Sequence, residues 1–98
     1  WPSEEIQVID IREEGERYRF GVIPGAIHAP YAQFDQYCAP NGLLSGLGKG
    51  KRLVLYCAVG ERSKLAMDIA TEKGITNIAH IPGGFARWVS EGGPVDKL

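Results

Sequence analysis

Cysteine is scarce in this chain, with Cys38 and Cys57 alone among 98 residues. That excludes a disulfide-dense scaffold, and neither thiol has companions at zinc-ligand spacing, so no metal centre is expected. Charge excess is missing too: 11 Lys and Arg stand against 12 Asp and Glu, a net charge of -1. Without a basic run or stripe, nucleic acid and anionic membrane are not expected partners, because both recognise clustered Lys and Arg. No apolar run approaches the ~20 residues that a bilayer span requires. Internal repeats are absent, since Ile-Pro-Gly occurs at 23–25 and again at 81–83 with unrelated flanks. The expected compartment is the cytoplasm, with the periplasm or an organelle as alternatives, since a start at Trp1 without a Met or a signal-peptide pattern is that of a trimmed N-terminus or of the mature end of a processed protein.

What is present is ordinary globular composition, 44% hydrophobic and 23% charged, which argues against disorder. A chain of this length buries somewhat over ~60% of its unfolded surface and has room for one core. The expectation is a single domain over residues 1–98.

Residues 7–11 form a short apolar run around Asp10, with the Val and Ile content of a buried parallel strand. Residues 12–20 are charged and predict a short surface helix stopped by Gly21. A turn at Ile23, Pro24 and Gly25 leads to a short strand at 26–29, and 31–37 to a helical segment. Pro40, Asn41, Gly42 and the glycines between 46 and 50 predict one long irregular connection. Residues 52–57, Arg-Leu-Val-Leu-Tyr-Cys, are the strongest strand signal and are assigned to the centre of the sheet. Leu65, Ala66, Ile69 and Ala70 fall at helical spacing, and Lys73 with Gly74 supplies a basic last turn and a stop. A strand at 78–81 and an apolar stripe of Phe85, Trp88 and Val89 follow. Alternating strands and helices predict an α/β fold, an open parallel sheet with helices on both faces, whose ligands bind at the carboxyl ends of the strands.

Cys57 stands at such an end, followed by Ala58, Val59, Gly60, Glu61, Arg62 and Ser63 and then by the best helix. A loop in this position can turn consecutive backbone N–H groups inward, and with the positive helix end they form an anion cup. Gly60 permits the tight curvature. The helix end and Arg62 would both favour a thiolate on Cys57. Position alone is equally compatible with a buried core thiol, since free Cys is among the most buried residue types.

The stretch Cys-Ala-Val-Gly-Glu-Arg-Ser after the strand Leu-Val-Leu-Tyr resembles the active-site loop of the rhodanese-like sulfurtransferases. Two further stretches are similar to the signatures of that family: Asp10, Ile11, Arg12, Tyr18, Gly21, Ile23, Pro24, Gly25 and Ala26, and the run from Gly83 to Trp88. The resemblance covers residues 7–93 in the right order, and three motifs together are more specific than any one. The chain departs from the family pattern in having Val22 where many relatives carry His, in one extra residue between Asp10 and Gly21, and in too few residues before the first strand for the strand and helix that usually precede it.

The resemblance implies a sulfurtransferase in which Cys57 takes a sulfur from thiosulfate or a persulfide donor and passes it to cyanide or a thiol, on a small molecule or a protein. It implies no cofactor. Substrate contacts would come from the loop, Ala58 through Ser63, and Asp10 with Arg12 would brace the sheet. Glu61 works against a thiolate and a dianionic donor unless it faces solvent, so weak use of thiosulfate is expected. Two alternatives stand beside this reading: a catalytically silent interaction module on the same fold, and phosphatase or arsenate reductase chemistry. The latter places its Arg after five intervening residues, whereas four separate Cys57 from Arg62. Arg17 is expected on a solvated helix face, His28 and His80 in polar packing near strand ends, Tyr56, Phe85 and Trp88 in the core, and Cys38 as an unpaired, partly buried thiol without a role.

Overall fold

Four short strands run parallel in a computed structural model that describes residues 5–98. In chain order the elements are β1 (Ile6–Asp10), α1 (Glu14–Phe20), β2 (Ile27–His28), a 3-10 turn (Tyr31–Gln33), α2 (Phe34–Tyr37), α3 (Leu43–Leu47), β3 (Arg52–Tyr56), α4 (Glu61–Glu72), β4 (Ile78–His80) and α5 (Gly84–Ser90). The sheet order is β2-β1-β3-β4, so β1 and β3 lie inside, where Val8, Ile9 and Asp10 of the one and Leu53, Val54, Leu55 and Tyr56 of the other are buried. Pairing of Val8 with Val54 and Asp10 with Tyr56 fixes the central register.

Alternation along the strands sorts two cores. Ile9, Leu53 and Leu55 point to one face with Phe34, Leu44, Ala66 and Ala70, while Val8 and Tyr56 point to the other with Ile23 and Phe85. Each fully buried Ile, Leu or Val contributes about 1.5–3 kcal/mol by leaving water, which is why a four-stranded sheet this short holds together.

Three details depart from expectation. The connection around 40–50 is not wholly irregular: Leu43–Leu47 form α3, because burying Leu44 completely outweighs the low helix propensity of the neighbouring glycines. On α4 the buried stripe is Ser63, Ala66 and Ala70, whereas Leu65 is exposed; small residues let the helix lie close to the sheet and turn Leu65 outward. The chain beyond residue 93, outside the sequence motifs, returns to make an antiparallel bridge, Val22 N–H to Asp96 O at 2.8 Å and Asp96 N–H to Val22 O at 2.9 Å. No helix among the described residues is long and apolar enough to cross a membrane.

The carboxyl ends of the strands are aligned by backbone bonds that continue past them: Ile11 N–H donates to Tyr56 O at 3.0 Å and Ile81 N–H to Leu55 O at 2.9 Å. Arg12, Cys57 and His80 are thereby brought to one edge of the sheet.

Candidate active site

Cys57 is the first residue after β3 and is almost fully buried. The chain then turns through Ala58 and Val59 to Gly60, whose φ of +100° is left-handed and suits glycine, and α4 starts at Glu61. Glu61, Arg62 and Ser63 thus form the first turn of the helix rather than loop. The outer side of the turn is clamped by α5: Phe85 N–H donates to Cys57 O at 2.8 Å and Ala86 N–H to Ala58 O at 3.1 Å. With the carbonyls held outward, the amides face in, and Gly60 N–H donates to Cys57 Sγ at 3.0 Å. The Ser63 hydroxyl lies 3.8 Å from the same sulfur.

Two opposing influences act on this thiol. Burial pushes its pKa up, but hydrogen bonds from the Ser63 N–H and hydroxyl and from the Gly60 and Val59 N–H groups outweigh burial and hold it below the ordinary value. Cys38, equally buried in the core, meets no such donors among the described residues, and burial pushes it up to about 11. It was expected only partly buried in a loop; it closes α2, whose last turn its amide completes by donating to Phe34 O at 3.2 Å.

Arg62 departs from the arrangement anticipated from its position. Both of its terminal nitrogens donate to Glu16 of α1, Nη1 to Oε1 at 2.9 Å and Nη2 to Oε2 at 2.8 Å. Its charge still attracts the sulfur, but its fork is taken by Glu16 and the direct donors to Cys57 are the amides and Ser63. Glu61 is exposed, the orientation in which its carboxylate least opposes a thiolate. Ala58 is half-buried and Val59 exposed, and with Arg12, Phe20, Phe85 and Val89 they line a mainly apolar cavity of about 370 Å³ beside the turn.

Behind the cavity lies a buried polar assembly. Arg12 donates to Asp10 from Nε at 3.0 Å and Nη2 at 2.9 Å, and from Nη2 to Gly21 O at 2.7 Å. Its guanidinium sits 4.3 Å from the Phe85 ring centre and 5.2 Å from that of Tyr56. The Tyr56 hydroxyl donates to Asp10 Oδ2 at 2.8 Å and accepts from Ile23 N–H at 3.2 Å. Burial pushes the phenol strongly upward and pulls the Arg12 guanidinium down, but Asp10 outweighs burial at Arg12 and leaves its pKa raised. Asp10 and Arg12 therefore tie β1 to β3 and to the segment before β2.

Arg17 is not on a solvated face. Its side chain is only 14% exposed and reaches Glu14 at 3.0 Å and Asp10 at 3.4 Å. Attraction to the buried carboxylate outweighs the hydration that a free helix face offers. His28 Nε2 lies 2.7 Å from Arg12 O, in polar packing at a strand end. His80 lies closer to the chemistry: its Nδ1 is 3.0 Å from Ser63 Oγ, which is itself next to Cys57. A place near a strand end is all that the sequence shows of it; the contact follows from the pairing of β4 with β3. Among the described residues no three His, Cys, Asp or Glu side chains are grouped to hold a metal ion.

Comparison with known proteins identifies the family of this fold. The profile of the rhodanese-like domain matches residues 2–91. The chain belongs to the rhodanese-like family. It is 35% identical to the thiosulfate:glutathione sulfurtransferase of Saccharomyces cerevisiae, over 95% of this chain and 70% of that protein. It is 33% identical to the mouse thiosulfate sulfurtransferase/rhodanese-like domain-containing protein 3, over 90% of this chain and 60% of that one, so this rhodanese-like domain spans well under the full length of the mouse relative. Among solved structures, a Rhodopseudomonas palustris protein of unknown function, described as a possible tyrosine phosphatase, superposes with a TM-score of 0.86 at 34% identity, covering 95% of this chain and 72% of that one. A rhodanese-related protein from Thermoplasma volcanium gives 0.78 at 29% identity, covering 97% and 87%.

Proposed function

We propose that this domain is a sulfurtransferase that carries a sulfur atom on Cys57. The observation behind this reading is the donor set around one thiol: Gly60 N–H at 3.0 Å from Sγ, the Ser63 hydroxyl at 3.8 Å, and a pKa held down despite burial. A thiolate prepared in this way needs no separate base. It attacks the outer sulfur of thiosulfate, the S–S bond breaks, and sulfite leaves with the electron pair, so that Cys–S⁻ becomes Cys–S–S⁻. The persulfide then gives its outer sulfur to cyanide as thiocyanate, or to a thiolate as a new persulfide, and Cys57 returns to its starting state. A persulfide donor enters by the same displacement with a thiolate as leaving group. The inward amides stabilise negative charge on sulfur throughout, and no step calls for a metal or cofactor.

A phosphatase reading draws on the description of the Rhodopseudomonas palustris neighbour. It fits less well, because four residues separate Cys57 from Arg62 and the Arg62 fork is already occupied by Glu16. The deciding experiment is intact mass after incubation with thiosulfate. One added sulfur, removed by cyanide and absent from Cys57→Ser, is expected; an unchanged mass with thiosulfate and with a persulfide donor overturns the proposal.

A further inference from the structure

Three guanidiniums near the Cys57 turn are matched by carboxylates. Arg12 is bound to Asp10 at 2.9 Å, Arg17 to Glu14 at 3.0 Å, and Arg62 to Glu16 at 2.8 Å. Glu13 and Glu61 are exposed acids beyond those pairs. Among the described residues that line the neighbouring cavity, Arg12 is the one that carries a charge.

The Glu16 contact is also anchored at its other end. Oε1 accepts the Glu13 N–H at 3.0 Å, completing the capping box of α1, so Glu16 cannot swing away from Arg62 without uncapping the helix. Its carboxyl pKa is held down, chiefly by the hydrogen bonds from Arg62, and it stays charged at neutral pH. A sulfonate carrying two charges with its sulfane sulfur would seek the same planar fork and must displace Glu16 to reach it.

Resting on the sulfur-transfer reading above, we propose that Glu16 is a positioning residue that sets donor selectivity: by occupying both terminal nitrogens of Arg62 it disfavours dianionic donors and leaves monoanionic sulfane donors as the better substrates. The relevant comparison is thiosulfate against methanethiosulfonate, which offers the same terminal sulfur with one charge fewer and releases methanesulfinate as thiosulfate releases sulfite.

Donor kinetics with wild type, Glu16→Gln and Glu16→Asp test the assignment. Gln keeps the capping acceptor and removes the charge, so kcat/KM for thiosulfate should rise about tenfold, mainly through KM, while that for methanethiosulfonate changes less than about threefold. Asp keeps the charge and should gain clearly less than Gln. In wild type, added salt should improve thiosulfate relative to methanethiosulfonate because repulsion is screened, a readout that holds even if a variant folds poorly. Equal changes for both donors in Glu16→Gln, or a salt-independent donor ratio, overturn the role of Glu16 while leaving sulfur transfer in place. No sulfur on Cys57 from either donor in wild type overturns sulfur transfer and this inference together.

Discussion

Ser63 holds its hydroxyl 3.0 Å from Nδ1 of His80 and 3.8 Å from Sγ of Cys57, with Gly60 O at 3.2 Å as a third neighbour. A hydroxyl has one proton to give. If His80 Nδ1 carries its own hydrogen and donates, the serine proton is free for the sulfur or the Gly60 carbonyl; if Nδ1 accepts, that proton is withdrawn from the thiol. The nucleophile is therefore coupled through Ser63 to a group on another strand.

Ser63→Ala removes that hydroxyl and one of the influences that lower the Cys57 pKa. The pH profile of iodoacetamide alkylation should move upward, and sulfur transfer at neutral pH should fall about tenfold, as expected for losing a hydrogen bond to a charged group. An unchanged alkylation profile would show that the amides alone hold the thiolate.

How much of this was readable beforehand depends on sequence distance. The β3 strand, the Cys57 turn and the stop at Gly74 are local patterns and were visible. The Arg62 to Glu16 pair joins residues 46 apart, and the Ser63 to His80 contact joins residues 17 apart; each depends on the order of strands in the sheet, which periodicity does not specify. Arg17 leaves the solvated face because α1 folds back on β1 and brings its Nε to 3.4 Å from Asp10, a contact between two elements that helical spacing alone does not show. The helix α3 was hidden by its glycines, because only the completed core shows that Leu44 must be buried.

The two thiols should respond oppositely to pH. Burial raises Cys38 from 9.0 to about 11, so its contribution to stability is full below the unfolded-state value and is lost as pH climbs from about 9 through about 11. For Cys57, lowered in the fold, the contribution is present above the unfolded value and is lost as pH falls through the folded one. Unfolding free energies from urea titrations should put wild type about 1 kcal/mol above Cys38→Ala near neutrality, and that advantage should vanish before pH 11. Sulfur transfer by Cys38→Ala should match wild type. A tryptic peptide joining Cys38 to Cys57 after mild peroxide would contradict the view of Cys38 as a packing residue.

Asp10→Ala leaves the Arg12 guanidinium buried and uncompensated, and it takes an acceptor from the Tyr56 hydroxyl. Breaking a buried pair from one side costs about 3–5 kcal/mol, a large share of the stability of a domain this small. Urea unfolding should shift by that amount or the variant should fail to accumulate folded. A loss below about 1 kcal/mol would mean that solvent reaches Arg12 and compensates it.

Gly84 tests whether α5 shapes the nucleophile's turn. Its φ is +60°, and a Cβ at this position would overlap the carbonyl oxygen of Cys57 and approach the Ala58 carbonyl carbon and oxygen, both at 2.8 Å. Those are backbone atoms, so the strain cannot be relieved by a flexible side chain. Gly84→Ala must push the start of α5 away from the turn and weaken the Phe85 N–H to Cys57 O and Ala86 N–H to Ala58 O bonds that hold the carbonyls outward. With the peptide planes free to rotate, the Gly60 amide loses its aim at Sγ, and the alkylation profile should move to higher pH along with lower thermal stability. Gly74→Ala is the control: its φ is also positive, +92°, but nothing lies within 4 Å of a Cβ there. It should lower stability through backbone strain alone, by about 1 kcal/mol, and leave the thiol profile where it is. If Gly84→Ala behaved like this control, the inward amides would be set by the turn itself and not by α5.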